Sequence, residues 1–600
     1  MQWRPVGRVN RARRASRRLT RRAFIVYLAV PVGAAGLLAA CSPTAPSQPA
    51  APKAPPATQP PLALQTQVPI ATQVAAAKPT ESTAVAKPAE KPAEKPAATA
   101  APTTAPAVAK PEATGKLIYA WHTTISPAWL DPQENPPQIT PYNFAYAVHD
   151  ALVKHLPGKT FAPSLAESYE IAPDNKSATF KLRANAKFHD GKPVTPDDVK
   201  FTFEKYRGAN AGILHEKTEK IESPDARTVR FVFKEPFLDF LTIYGSPASG
   251  AGWIVPKAYY EQVGPNGFKQ KPIGAGPYRF VRQQAGTEVE FEAFPEYWRK
   301  SPSVKTLIMR GVPEASTRLA GLQTGELDVA NQMPGDLLDA VRKDPKLRLV
   351  PLKGAPVWLE PMSFDGPDSP LKDIRVRQAL SLAIDRKAFS DAEFGGLGTL
   401  EGNWIPEDWP GAISRPSPTF DLPKAKQLLA DAGVPNGFPI SQITPLPPYT
   451  SFAERVLGNL RALGITTKVN TLERAAFYDA LTPGANKLKG LVMPLSGAPG
   501  DAASRIRESA LCSGSFSSVC VPEVDEPMKQ YDSSTSVEER TKLITQVQNY
   551  LLDNFLIIPI LRQAFINCLG PRVANKAEEI EGSIPQYNYL GPYEDLLVKE

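Results

Sequence analysis

The forty residues Leu165–Glu204 decide the fold, and they read LAESYEIAPDNKSATFKLRANAKFHDGKPVTPDDVKFTFE. Within this stretch, SATFKLR (177–183) alternates between apolar and polar residues, and a period of two predicts a β-strand. The segment TPDDVKFTFE then offers Thr195 as an N-cap, followed by a proline and two aspartates, which predicts an α-helix. A strand followed so soon by a helix indicates a body in which both kinds of element mix.

Similar signals recur along the chain. Alternating apolar residues predict further strands at Thr228–Lys234 and Thr287–Phe294. One helix is predicted over Asp421–Gly433, and another begins with the capping pair Ser536 and Glu539. Strands and helices therefore mix from residue 115 to the end, which predicts an α/β or α+β body of more than one lobe.

The composition narrows the class of protein. A chain of 600 residues suggests two to four domains. The net charge is +8, but the first 40 residues alone carry nine arginines, so the remainder has no net positive charge and no nucleic-acid groove is expected. Four cysteines and five scattered histidines are few for this length, so we expect neither a bound metal nor a cofactor.

The first 40 residues have the three parts of an export signal: a basic start, the uncharged segment Ala23–Ala40 and an end made of small residues. LTRRAFIV (19–26) resembles a twin-arginine signal, and LAAC (38–41) resembles the bacterial lipobox, in which the cysteine is lipidated and becomes the first residue. We therefore predict a signal peptide over 1–40 and a lipid on Cys41. An uncleaved membrane anchor is the alternative, since the apolar segment is barely long enough to span a bilayer.

Residues 41–114 are dominated by proline and alanine and contain the repeat KPAEKPAEKPA. Such a segment cannot bury enough apolar surface to offset the entropy of ordering it. We predict a disordered, partly polyproline tether that lets a folded body stand away from the membrane.

The stretch Leu165–Glu204 resembles the signature of the family 5 extracellular solute-binding proteins, which include periplasmic oligopeptide-, dipeptide- and nickel-binding proteins. Its parts follow in the family order: a LAESYE strand, a TFKLR strand, a KFHDGKPVT turn and a DDVKFTFE helix. Further segments resemble the family at similar intervals, and together they cover nearly all of 115–600: IVPKAYYE (254–261), PIGAGPYRF (272–280), FPEYWRKSP (294–302), LQTGELDVA (322–330), DIRVRQALSLAIDRKAF (373–389) and FDLPKAKQLLADAGVPNGF (420–438).

The resemblance implies an α/β fold, a two-lobed clamp of the type II periplasmic-binding-protein kind with an extra subdomain in the first lobe. A ligand is enclosed when the lobes close about a hinge. The expected limits are 115–362 for lobe I, with the subdomain at about 160–268, then 363–565 for lobe II and 566–600 for a return to lobe I. The two segments that cross between the lobes are expected near 362–373 and 557–565.

The resemblance also implies a function. We expect a monomeric, extracytoplasmic receptor that binds a peptide or another small molecule and presents it to an ABC permease in the membrane. Two alternatives stay open: an extracytoplasmic sensor or chaperone-like lipoprotein of the same fold, and a surface hydrolase. The sequence contains neither a GxSxG nor an HExxH motif, which counts against the hydrolase.

Tryptophans are the first candidates for ligand contacts, because in the family's peptide binders aromatic side chains line a roomy pocket. Five of the eight tryptophans lie in segments rich in glycine, proline or polar residues, as pocket loops do. A half-buried packing role is the alternative for each of them. The candidates are Trp121, Trp129, Trp253, Trp404 and Trp409.

One departure from the family pattern bears on the ligand. Peptide-binding members carry an aspartate in a W-x-x-D-Y segment, which pairs with the α-amine of the ligand. The matching region here, LVMPLSGAPGDAASR (491–505), has Ala498 at that place and Asp501 three residues further on. Because a buried ammonium without a carboxylate partner is costly, tight capture of a free peptide N-terminus is not expected. Asp501, which is close to that place, is kept as a candidate ligand residue. A peptide, a sugar, a metal chelate or another solute all remain open, and bare nickel is disfavoured.

Two motifs and three cysteines complete the expectations. HDGKP (189–193) and GAGPY (274–278) are interpreted as backbone turns rather than ligand sites. Cys512 and Cys520 are close in sequence, and outside the cytoplasm they are expected to form a disulfide. Cys568 is then unpaired, or it pairs with one of those two.

Overall fold

The computed structural model describes residues 112–599, except 136–138, 209–210, 247–249, 363–364, 482–487, 496–499, 515–516, 518–519 and 581–589. The predicted signal peptide, the lipid site at Cys41 and most of the predicted tether lie outside the described residues, and so does Ala498.

The elements alternate along the chain, as the sequence predicts. The strands are β1 Thr114–Trp121, β2 Val153–Leu156, β3 Lys159–Pro163, β4 Ala166–Ile171, β5 Ser177–Leu182, β6 Thr218–Asp225, β7 Thr228–Phe233, β8 Tyr278–Gln284, β9 Glu288–Ala293, β10 Val304–Gly311, β11 Val329–Ala330, β12 Arg348–Met362, β13 Ile443–Pro445, β14 Gly490–Met493 and β15 Ile558–Leu569. The helices are α1 Ile139–Val148, α2 Pro196–Lys205, α3 Ala211–Lys217, α4 Phe240–Tyr244, α5 Lys257–Gln270, α6 Ala315–Thr324, α7 Leu338–Lys343, α8 Ile374–Ala383, α9 Arg386–Phe394, α10 Leu422–Asp431, α11 Thr450–Arg461, α12 Arg474–Leu481, α13 Ala502–Ser509, α14 Pro522–Ser533, α15 Val537–Asp553 and α16 Ala577–Ile580.

A nine-stranded mixed sheet, in the order β13-β14-β12-β15-β11-β1-β10-β9-β8, runs through the molecule. Its centre is the long antiparallel pair β12 and β15, whose register extends from Arg348 opposite Leu569 to Leu359 opposite Ile558. β11 joins this pair at the Leu569 end, while β14 joins it beyond Leu359. The two halves of the sheet are therefore attached to opposite ends of one strand pair.

A second, four-stranded sheet in the order β4-β5-β7-β6 lies within 166–233. Phe180 and Phe231 of this sheet pack with Phe203 of α2 and Phe240 of α4 in a hydrophobic cluster of their own. The predicted subdomain at about 160–268 contains this sheet. Its limits and those of the lobes stay predictions.

Helix α2 begins with a complete capping box. The Thr195 Oγ1 accepts a hydrogen bond from the backbone N–H of Asp198, and the Asp198 carboxylate accepts one from the N–H of Thr195. The predicted box at α15 forms only in half: Ser536 caps the N–H of Glu539, but the Glu539 carboxylate accepts from Ser534 Oγ instead. The backbone N–H of Ser536 donates to Ser534 Oγ at 3.2 Å, so the Ser534 hydroxyl lies between the two groups that the box would join directly.

HDGKP forms a backbone turn, and GAGPY forms a bend that leads into β8. Gly191 has φ +84°, and His189 is held by a contact of 3.0 Å from its Nε2 to the carbonyl oxygen of Gly276. Gly274 lies against the end of α1, where an added Cβ would stand 1.9 Å from the carbonyl oxygen of Val148. Burial lowers the pKa of His189 to about 3, so this histidine stays neutral at physiological pH. HDGKP and GAGPY therefore fix one backbone segment against another.

Candidate functional site

Polar residues from three segments meet where β12 and β15 cross between the two halves of the sheet. The register of this pair shifts between Lys353 and Pro356, which interrupts regular pairing at that level. Opposite the shift, Arg562 of β15 donates from Nε to the carbonyl oxygen of Gly354 at 2.9 Å and from Nη1 to Asp408 Oδ1 at 2.8 Å. Arg562 and Thr399 also exchange backbone hydrogen bonds. The loop between α9 and α10 is thereby tied to the crossing strands.

Glu401 of this loop is the least satisfied charged group at the crossing. Its side chain is 7% exposed, and its Oε1 lies 3.8 Å from Arg562 Nη1. Its Oε2 has no hydrogen-bond partner within the described part of the chain. Burial, as the main cause, raises the pKa of Glu401 to about 7, while the Arg562 charge opposes the shift. A buried carboxylate of this kind can accept a proton or a hydrogen bond from a bound molecule.

Gln563, the next residue of β15, presents a second such group. The residue is 3% exposed, and its Nε2 donor lacks a partner among the described residues. Buried polar atoms are nearly always hydrogen-bonded, so each exception needs an explanation. One donor and one acceptor of this kind on neighbouring segments indicate a polar binding position at the crossing.

A group of tryptophans surrounds Arg505 of α13 on the side where β14 joins β12. The Arg505 Cζ lies 5.3 Å from the ring centroid of Trp358 and 5.1 Å from that of Trp409, within cation–π range of both. Trp358 Nε1 donates to Glu360 Oε1 at 2.5 Å, and Arg505 Nη1 donates to a glutamate one turn further along α13. Trp404 packs in the same cluster and donates from Nε1 to Ser509 Oγ at 2.9 Å.

Two of the five candidate tryptophans, Trp404 and Trp409, are thus brought together. Trp409 is 6% exposed, and its Nε1 donor has no hydrogen-bond partner in the described structure, whereas the donor of Trp404 is used. Of the two, Trp409 is therefore the better candidate for donating a hydrogen bond from its indole N–H to a ligand.

Asp501, the candidate that stands near the family's aspartate, caps helix α13. Its Oδ1 accepts a hydrogen bond from the N–H of Ser504 at 2.7 Å, which is the ordinary work of an N-cap. Its Oδ2 is buried and unpaired as far as the described residues go. Burial raises the pKa of Asp501 to about 6. The Asp501 carboxylate therefore caps a helix with one oxygen, and its other oxygen has no partner among the described residues.

The other three candidates lie in a different hydrophobic cluster, together with β1 and α1. Trp121 ends β1 and is fully buried, stacked at 4.8 Å between ring centroids on Tyr119. Trp253 is 2% exposed and packs at 4.9 Å against Tyr146. Trp129 is half-buried beside Phe144. Their positions fit the packing role that the sequence left as the alternative.

Cys512 and Cys520 form a disulfide, and Cys568 is a buried thiol in β15. This pairing excludes the alternative in which Cys568 forms a disulfide with Cys512 or Cys520. Burial raises the pKa of the Cys568 thiol to about 12, which makes it unreactive. Within the residues that the structure covers, no group of three His, Cys, Asp or Glu side chains is placed to hold a metal ion.

Several residues of this site escaped sequence reasoning. Arg505, Glu401, Arg562 and Gln563 carry no motif, and their meeting depends on segments that are more than 50 residues apart. Trp358 could have been found, because the alternation in β12 places it on the same face as Glu360.

Among the described helices none is both long enough and apolar enough to cross a bilayer.

The long crossing pair, the two attached half-sheets and the polar groups at the crossing define a type II periplasmic binding protein, and the fold-class prediction is confirmed. The chain belongs to the bacterial extracellular solute-binding proteins of family 5, whose model matches residues 160–502. Proteins of this family are extracytoplasmic solute-binding proteins of ABC importers, not enzymes.

Two curated relatives and one solved structure illustrate the similarity. The chain is 30% identical to di/tripeptide-binding protein 1 of Pseudomonas aeruginosa, an alignment that covers 72% of this chain and 87% of the relative. It is 29% identical to heme-binding protein A of Haemophilus influenzae, over 72% of this chain and 85% of the relative. The ABC transporter substrate-binding protein CtaP of Listeria monocytogenes superposes with a TM-score of 0.69 at 21% identity, over 82% of this chain and all of that one.

Proposed function

We propose that this chain is the lipid-anchored receptor of an ABC importer, which encloses a peptide or a peptide-like solute at the crossing of β12 and β15 and delivers it to the permease. Family membership supports transport, and the relatives named for di- and tripeptides support the ligand class. One relative is named for heme, so a non-peptide solute is the result that would correct the proposed ligand class.

The observation that carries the proposal is the set of buried, unpartnered polar atoms: Glu401 Oε2, Gln563 Nε2 and Trp409 Nε1. Leaving such an atom buried without a partner costs about 1–3 kcal/mol, so three of them together favour a function that gains from keeping them available. A peptide backbone offers both N–H donors and C=O acceptors, which are the kinds of group that these atoms would pair with. The tryptophan also supplies a broad apolar surface at a low entropy cost.

The ligand can be identified by native mass spectrometry of the full chain, extracted from bacterial membranes in mild detergent. We expect one small solute to be retained at a one-to-one ratio and to be released unchanged on denaturation. Release of a chemically altered product from a supplied peptide would instead favour the hydrolase.

A variant pair tests whether the crossing is the binding position. Trp409→Ala should lower the retained solute at least tenfold, because it removes both the donor and the apolar surface. Trp298→Ala serves as the matched control, since Trp298 is half-buried and donates to Asp150, far along the chain from the crossing strands. Equal retention by both variants would contradict the proposed position.

The lipid anchor is tested separately at Cys41. Growth with an alkyne-tagged fatty acid should label the wild-type chain, and Cys41→Ser should abolish the label. Each buried CH₂ of an acyl chain contributes about 0.8 kcal/mol to membrane binding, so the labelled wild-type chain should be found in the membrane fraction. A labelled Cys41→Ser chain would contradict the anchor.

A further inference from the structure

We propose that Asp239 and Arg540 form a latch that holds the inserted subdomain against lobe II in the closed clamp. The proposal rests on the hinge closure of the proposed function. It adds a direct contact between the two moving parts that does not involve the ligand.

The two residues belong to different hydrophobic cores. Asp239 precedes α4, whose Phe240 packs in the cluster of the four-stranded sheet. Arg540 lies in α15, whose Ile544 packs in the cluster of Trp404 and Trp409. Arg540 Nη2 and Asp239 Oδ1 are 3.5 Å apart, and their side chains are 0% and 1% exposed. This buried ion pair therefore joins two cores across 301 residues of sequence.

The Asp239 carboxylate is not used by its own helix. Asp239 occupies the N-cap position of α4, yet its side chain makes no capping hydrogen bond. An aspartate at this position ordinarily caps the first turn and stabilises the helix. Its second oxygen, Oδ2, is also buried without a partner among the residues described. The carboxylate is thus directed away from its own subdomain and toward Arg540.

Arg540, in contrast, is held in place by its own lobe. Its Nη1 donates to the carbonyl oxygens of Tyr531 and Ser534, each at 3.3 Å. Its Cζ lies 3.9 Å from the ring centroid of Tyr531, a close cation–π contact. Because the guanidinium is already oriented, it loses little conformational entropy when it pairs with the Asp239 carboxylate.

Other charges surround the pair from both sides. Lys217 of α3 stands on the subdomain side, and Asp501, Arg507 and Asp532 stand on the lobe II side. Burial raises the pKa of Asp239, while the charges of Arg540 and Arg507 lower it. A buried ion pair gains little over its hydrated parts, but either partner buried alone is strongly unfavourable. The ion pair therefore favours the arrangement in which the subdomain is docked on lobe II, and removing either partner should favour the open clamp.

Hydrogen exchange of the full chain, measured by mass spectrometry without added ligand, tests the latch. Asp239→Ala should accelerate exchange at least fivefold in segments 239–245 and 536–541, because undocking exposes both surfaces. Exchange in β5 and β7 should stay unchanged, since the carboxylate makes no hydrogen bond to a described residue of the subdomain. Adding Arg540→Ala to this variant should produce no further acceleration in 239–245.

The control is Glu222→Ala, which removes a partly exposed carboxylate of the same subdomain that pairs with Lys220. It should change neither segment. Asp239→Asn, which keeps the shape and removes the charge, provides the same test if the alanine variant does not fold. Unchanged exchange in both segments would overturn the latch, and so would acceleration throughout β5 and β7. If native mass spectrometry finds no solute while the exchange result holds, the proposed function fails and the latch stands.

Discussion

At the residue scale, the molecule keeps several polar atoms buried without partners. Glu401, Gln563 and Trp409 are all buried, and each has a polar side-chain atom without a hydrogen-bond partner in the described structure. Asp501 differs, because one of its oxygens caps α13 while the other has no partner among the residues that the structure describes. Groups of this kind lower the stability of the free protein and are retained where a bound molecule or a proton satisfies them.

Asp501 gives a prediction about pH. Its pKa is raised from 3.8 to about 6, so the folded protein favours the neutral carboxyl. The stabilisation is complete below pH 3.8 and is lost as the pH rises through about 6, at about 1.36 kcal/mol for each pKa unit. Asp501→Asn keeps a capping side chain but cannot ionise. Relative to the wild type, this variant should gain up to about 3 kcal/mol of unfolding free energy between about pH 4 and pH 7.5, measured by urea unfolding.

The matched control is Ser536→Ala, which removes the N-cap of α15. Because a serine hydroxyl does not ionise in this range, the difference between this variant and the wild type should stay the same at each pH. A constant difference between Asp501→Asn and the wild type at both pH values would contradict the assignment of the titration to Asp501.

At the element scale, a few side chains connect helices to one another. Asp198 closes the capping box of α2 with one carboxylate oxygen, and its other oxygen accepts from the N–H of Lys257 at 2.9 Å, at the start of α5. One residue of the segment that decides the fold therefore fixes both a helix start and the position of the next long helix.

Variants of this box should separate the two contributions. Thr195→Ala removes one cap and should lower the free energy of unfolding by about 1 kcal/mol. Asp198→Ala should cost about 2 kcal/mol or more, because it also leaves the N–H of Lys257 without its acceptor. Ser536→Ala, which removes the single cap of α15, serves as a control near 1 kcal/mol. Equal losses for Thr195→Ala and Asp198→Ala in urea unfolding would show that the link to α5 contributes nothing.

The disulfide gives a second prediction at this scale. Cys512 and Cys520 are eight residues apart and close the loop between α13 and α14. Closing a loop of this length should stabilise the folded chain by about 2–3 kcal/mol, mainly by restricting the unfolded state. The double variant Cys512→Ser, Cys520→Ser should lose that amount in urea unfolding.

Alkylation of the unfolded wild-type chain provides the control for that loss. Cys568 should react before reduction, and Cys512 and Cys520 should react only afterwards. Labelling of all three thiols without reduction would contradict the pairing, and any loss of stability would then need another cause.

At the scale of the whole molecule, the crossing of β12 and β15 decides what the protein can do. The pair carries one half of the large sheet at each end, and its register is interrupted in the middle. Gly354 lies at this interruption, and an added Cβ would stand 2.4 Å from Phe565 Cδ2 and 2.8 Å from the carbonyl oxygen of Gln563. The close approach of the two backbones depends on the missing side chain.

Gly354→Val should therefore disturb the crossing. Forcing a side chain into this packed space should lower the free energy of unfolding by about 1–3 kcal/mol and reduce the solute retained in native mass spectrometry. Gly458→Ala in α11 is the matched control, because an added Cβ meets nothing within 4 Å and should stabilise the helix by about 1 kcal/mol. Undiminished retention in Gly354→Val would show that the crossing tolerates a change of shape.

The sequence by itself determined the elements and the class of fold. Local patterns were sufficient for α2, β5 and β7, because caps and alternation act between residues a few positions apart. The same holds for the turn at Gly191, and the order of the motifs was sufficient to recognise the solute-binding family.

Only the tertiary structure decided which side chains meet. It assigned Trp121 and Trp253 to a packed core and placed Trp409 beside Arg505, although the sequence around all three tryptophans had suggested pocket loops. It also brought Glu401 to Arg562 and Asp239 to Arg540, across separations of more than 150 residues. The physical reason is that these contacts depend on how strands far apart in sequence pair and pack, and no local pattern records that pairing.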